Sequence, residues 1–273
     1  MSHRARIIVM GVFAVSLGAP VVDAQGPGRG PAPPPPSPRA AAPVDLTGTW
    51  VSVVTEDWEW RMVTPRKGDY ESVPLNPEGR RVADTWDPSK DGRCEAYGVG
   101  GIMRMPGRLR ISWQDDSTLK IETDAGQQTR LLRFAGSPPV ATGGKGATAR
   151  GAAPGAKRSW QGDSVAEWQG GGTGTVDPFT GRGDGPGVQR WGSLKVRTTN
   201  MLAGWLRRNG VPYSEHAVVT EYFSRFTHPQ AGDWFVVTTV VEDPTFLSTS
   251  FTTSSNFKRE ANDAKWSATP CRQ

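Results

Sequence analysis

The sequence predicts an all-β protein: an antiparallel meander of about eight to ten strands closed into a barrel, with one or two short helices. Three observations predict it. Apolar and polar residues alternate along most of the chain, the period of a half-buried strand. Glycine and proline, 33 and 23 of 273 residues, punctuate the alternating runs at turn-sized intervals. Consecutive runs lie at hairpin distance, and closing such a sheet removes the edges that an open one would expose.

Residues 1–24 read as a secretory signal peptide. Arg4 and Arg6 precede an apolar run from Ile7 to Leu17, and Val22-Asp23-Ala24 supplies small residues for cleavage near Ala24. That run is well short of the roughly 20 residues that span a bilayer. The expectation is a periplasmic or secreted bacterial protein with no transmembrane segment after cleavage. Residues 25–44, rich in Pro and Gly, read as a disordered linker. Residues 45–273 make one domain with a sizeable core.

The domain opens with a strand from Gly48 to Thr55. Trp58, Trp60 and Met62 alternate with Glu59 and Arg61, which predicts a further strand with both indoles on one face. Asn76, Pro77 and Glu78 supply the N-cap, the first turn and a dipole partner for one helix that Asp87-Pro88 ends. Leu109, Ile111 and Trp113, then Leu119, Ile121 and Thr123, form two strands joined at Asp115-Asp116-Ser117. Gln127 to Phe134, Ser164 to Gln169 and Gly192 to Met201 continue the series. A second helical turn is expected near Leu202 to Arg207. Ala217 to Phe226, Trp234 to Glu242 and Phe251 to Arg259 complete the strands. Stretches 135–162 and 170–192 are of low complexity and read as disordered loops.

Cys94 and Cys271 are the only two cysteines, and an exported pair is expected to be bridged. No Cys and His spacing suits a metal, and no glycine-rich run has the spacing of a phosphate loop, so no cofactor is expected. The net charge of +5 is spread along the chain, which argues against nucleic acid as a partner. Arg104, Arg108 and Arg110 read as a solvated strand face, and the chain as a monomer.

Eleven tryptophans predict either a core filled by large side chains or a barrel lined for a guest. Trp50, Trp58, Trp60, Trp113 and Tyr222 are the candidate lining residues, with Arg61 or Glu221 orienting a polar end. Glu221 shares a strand face with Val219 and Phe223. If they face inward, its carboxylate needs a partner or a raised pKa. The other register puts Tyr222 and Phe226 inside. A barrel enzyme, an isomerase, cyclase or hydrolase, would use Glu221 as acid/base with Tyr222 or His216 assisting.

Gly48-Thr49-Trp50 resembles the first strand of lipocalin-like barrels, in which the Trp plugs the closed end. Thr55 to Met62, Leu119 to Asp124, Asn209 to Ser214 and Val241 to Pro244 resemble a group of uncharacterised exported bacterial proteins with a lipocalin-like (calycin-like) β-barrel. The resemblance implies that fold and export, and carries no catalytic residues. The expected function is an exported protein that binds a small apolar or amphiphilic molecule in an aromatic-lined barrel. The alternatives are the barrel enzyme and a structural envelope protein whose barrel is filled.

Overall fold

A computed structural model describes residues 34–134, 157–170 and 192–273. The expected signal peptide and most of the two expected loops lie outside the described residues. Nine strands form a closed barrel: β1 (Gly48–Val53), β2 (Arg108–Asp115), β3 (Thr118–Thr123), β5 (Thr129–Phe134), β6 (Asp163–Gly170), β7 (Gly192–Thr199), β10 (Val218–His228), β11 (Gly232–Glu242) and β12 (Phe251–Glu260). They follow one another round the ring in chain order, and β12 closes it against β1. Two smaller pairs lie outside it, β4 (Ala125–Gly126) with β13 (Thr269–Pro270), and β8 (Gly204–Arg207) with β9 (Val211–Tyr213).

The expected meander is present with one departure. Directions that alternate all the way round a ring require an even number of strands, so a ring of nine contains a parallel pair. That pair is β5 and β6, joined at Leu132 and Ser164. Neighbouring strands that run parallel need a crossover instead of a tight turn, which a reading built on hairpins does not foresee.

Alternation sorts the walls as the sequence predicts. Leu109, Ile111, Leu119, Ile121, Leu132, Leu194, Val196, Phe223, Phe235, Val237 and Phe257 are all buried in one apolar cluster with Trp50. A second cluster, with Val99, Met201, Leu206, Val211, Tyr213, Val219 and Phe251, lies towards one end. The 54–107 segment and the β8–β9 hairpin cover that end. The expected helix is α2 (Pro77–Ala83). Asn76 caps it, its Oδ1 accepting from the Gly79 amide at 2.8 Å.

Two expectations of local structure are corrected. Trp58 to Met62 is not a strand: Trp58–Arg61 is a one-turn helix, α1, entered through Asp57 at φ 52. The left-handed Asp57 turns the chain out of the strand direction, so Trp58 and Trp60 no longer share a face. Leu202 to Arg207 is not helical, since β8 occupies its second half. Arg104 is also not on a solvated strand face. It sits in a short 3-10 turn (Ile102–Arg104) and is buried, whereas Arg108 and Arg110 do lie on the outer face of β2, paired with Glu260 and Asp263.

Cys94 and Cys271 are bridged, as expected. The bridge fastens the C-terminus beside β4, where the Cys94 amide donates to the Arg272 carbonyl at 2.9 Å. The end of the expected linker is part of the folded body, which begins at Pro36. The Pro38 carbonyl accepts from Trp168 Nε1 at 2.8 Å, and the Arg39 amide donates to the Asp116 carbonyl at 3.0 Å. No helix among the described residues is long and apolar enough to cross a membrane.

Candidate functional site

The buried aromatic clusters expected of the barrel are present, and they pack on one another. Trp50 meets Phe235 edge-on at 4.7 Å, and Phe235 stacks on Phe257 at 4.8 Å. Trp50 donates its Nε1 proton to the Leu46 carbonyl at 2.9 Å, while the Arg259 guanidinium covers its ring at 5.6 Å. The middle of the barrel is therefore side-chain core. Trp113 belongs to a different place. Gly48 pairs with Ile111, so Trp113 lies beyond the start of β1, at the end opposite the 54–107 segment. There it joins Phe134 and Trp168, with ring centroids 5.2–6.4 Å apart.

Glu221 faces inward with Val219 and Phe223 and is wholly buried. Its partner, which alternation along the chain does not reveal, is Arg130. Both guanidinium nitrogens Nη1 and Nη2 donate to the carboxylate, at 3.1 and 2.6 Å, and Arg130 is equally buried. Val219 belongs to one apolar cluster and Phe223 to the other, so this pair sits at their junction. Tyr222 lies on the outer wall beside Lys195 and Thr238. His216 is an exposed turn residue 3.7 Å from Glu215. The three groups named for acid–base chemistry are thus not brought together.

The structure gathers Trp60 and Arg61 at a small cleft at the covered end, with space for about one water, lined also by Gly101, Arg104, Met105, Leu206, Arg207 and Arg208. Three elements supply the arginines. α1 carries Trp60 and Arg61, the 3-10 turn carries Arg104, and β8 carries Arg207. On a regular strand Leu206 and Arg207 would face opposite sides. The register slips between Trp205 and Arg207, a bulge, and both become buried.

Each guanidinium is held differently. Arg61 donates through Nε to the Arg104 carbonyl at 2.9 Å, pairs with Glu56, and reaches Ser52 Oγ at 3.3 Å. Burial lowers its pKa and the Glu56 charge opposes that. Arg104 lies 3.0 Å from Asp57, an ion pair out of line with its N–H bonds, and neither Nη1 nor Nη2 has a hydrogen-bond partner among the described residues. Arg207 lies over the Trp60 ring at 4.6 Å and donates from Nη2 to Ser72 Oγ at 2.8 Å, while Nε and Nη1 are unpartnered. Burial, reinforced by the Arg104 charge, pushes its pKa down to about 10, so it remains protonated at neutral pH. Trp60 donates Nε1 to the Asp69 carboxylate at 3.0–3.1 Å. Asp57 and Ser72, which hold two of these arginines, both have positive φ, at 52° and 62°. Non-glycine residues take that conformation only where the surroundings demand it.

The arrangement can accept a group that offers several hydrogen-bond acceptors. Among the described residues there is no cluster of side chains suited to a metal ion. Of the predicted lining residues, Trp58 stands outside the cleft, 65% exposed, with Met62 and Val63 also exposed. Arg104, Arg207 and Arg208 escaped the sequence reading. Arg104 had a usable signal, a lone charge within Ile102-Met103-Arg104-Met105. Arg207 had none, because the bulge that turns it inward leaves no mark on the alternation. Compared with known protein families, curated proteins and solved structures, the chain matches none.

Proposed function

We propose that this is an exported protein of the lipocalin-like group it resembles, and that it binds a small amphiphilic molecule. The polar end docks in the Trp60 cleft and the apolar portion lies over Trp58, Met62 and Val63. One observation carries this reading: Arg104 and Arg207 line this cleft, and buried guanidinium donors of both have no hydrogen-bond partner among the described residues. A buried donor without an acceptor costs about 1–3 kcal/mol, and a ligand that accepts from it recovers that cost. The same one-turn helix places an apolar surface beside the cleft. Export is supported by the disulfide, which persists in oxidising compartments.

Titration of the mature protein with neutral, cationic and anionic amphiphiles, followed by tryptophan fluorescence, tests the reading. Saturable quenching is expected, weakened at least tenfold by Trp60→Leu and retained in Trp113→Leu. A flat response across the panel overturns it. The packed middle of the barrel favours a second reading, a structural envelope protein with a filled barrel, which a flat response would leave standing.

A further inference from the structure

We propose that the polar end held in this cleft is an organic oxyanion, a carboxylate or a phosphoryl or sulfate ester head. This rests on the ligand-binding reading of the same cleft. The lining residues include four arginines and no carboxylate. Glu56 and Asp57 pair with Arg61 and Arg104. Asp69 is engaged by Trp60. Arg207 and Arg208 have no ion-pair partner within salt-bridge distance among the described residues, while the charges of Asp57, Asp69 and Glu71 act on Arg207, so the selection for an anion lies in the donors themselves and not in a net charge.

The donor count points the same way. Arg104 holds Asp57 at 3.0 Å from Nη1 and leaves Nη2 without a partner among the described residues, a charged donor that suits an anionic oxygen. Arg207 adds Nε and Nη1. A neutral hydroxyl has two lone pairs to offer these donors, whereas an ionised carboxylate has about four acceptor sites and a phosphoryl group more. An ammonium has none, and would meet four like charges. Arg207 is fixed between Ser72 and the Trp60 face, so its donors are already oriented. Preorganised donors lose little freedom when the ligand arrives.

Calorimetric titration with a matched series of ten-carbon chains tests this: decanoate, decyl phosphate, decyl sulfate, decanol and decylamine. The three anions are expected to bind at least tenfold more tightly than decanol, with decylamine weakest. Their order among themselves identifies the head group. Arg208→Gln should weaken the anions several-fold more than it weakens decanol. Arg207→Lys, which keeps the charge and loses the planar fork, should weaken them at least tenfold; circular dichroism and a thermal melt confirm that each variant folds. Decanol binding as tightly as the anions would overturn the oxyanion assignment while leaving the ligand-binding reading intact. Absence of binding by all five overturns both.

Discussion

Glu221 shows how one residue changes meaning with its partner. A lone carboxylate at that depth would have to neutralise itself or stay costly. Arg130 answers it with two hydrogen bonds, which makes the residue an internal tie rather than an acid waiting for substrate. Removing one member leaves the other charged and buried, at about 3–5 kcal/mol, whereas replacing both by apolar groups of similar size is often close to neutral. Glu221→Leu is therefore expected to lose about 3–5 kcal/mol of unfolding free energy in urea. The double variant Arg130→Met/Glu221→Leu should recover most of it. Equal losses in single and double variants would show that the pair is not coupled. That Glu221 shares a face with Val219 and Phe223 was legible in the alternation, but not that this face is the inner one, because Tyr222 and Phe226 offered an apolar alternative. Arg130 was not, because it lies on another strand 91 positions away and alternation says nothing about which strands meet.

At the scale of elements, α2 was written in its cap. Asn76, Pro77 and Glu78 act locally, within one turn, so the sequence exposes them directly. Its other end is held from a distance: the Tyr70 hydroxyl donates to Asp84 Oδ1 at 2.8 Å. Burial, and then the bond to Asp84, push the Tyr70 pKa up to about 12. The unfolded chain ionises this tyrosine near 10. A folded pKa above the unfolded one gives stability that is complete below pH 10 and is lost as the pH rises towards 12. Denaturant unfolding of wild type and Tyr70→Phe across pH 9 to 12 checks this. The wild type should lose its advantage over the variant in that window, and a pH-independent difference would refute it. α1 went the other way. Trp58 to Met62 has the alternation of a strand, yet burial of Arg61 against Glu56 and the Arg104 carbonyl outweighs a five-residue pattern.

Across the whole molecule, the disulfide and the barrel closure do comparable work on the two ends of the chain. Closure of β12 on β1 joins the beginning of the domain to residues near its end. Cys94 and Cys271, 177 positions apart, then fasten the C-terminus to the segment that covers the cleft end. Loop-closure entropy for so long a span is worth about 5 kcal/mol, the chain-entropy limit. Cys94→Ala/Cys271→Ala should lower unfolding free energy by up to that amount, measured in urea, while the far-ultraviolet dichroism of the barrel persists. Unchanged stability in the double variant would show that the β4–β13 contact alone holds this end.

The sequence by itself determined the class, the approximate places of the barrel strands, the capped helix, the cysteine pair and the face that Glu221 shares with Val219 and Phe223. All of these depend on a period of two, on residues within one turn, or on a count of two thiols. Only the tertiary structure decided the parallel seam, the Arg130 partner, the helix at Trp58 and the convergence of Arg61, Arg104 and Arg207 beside Trp60. These depend on which distant segments share space, and on a bulge and a left-handed residue whose effect lies in the backbone path rather than in the pattern of side chains.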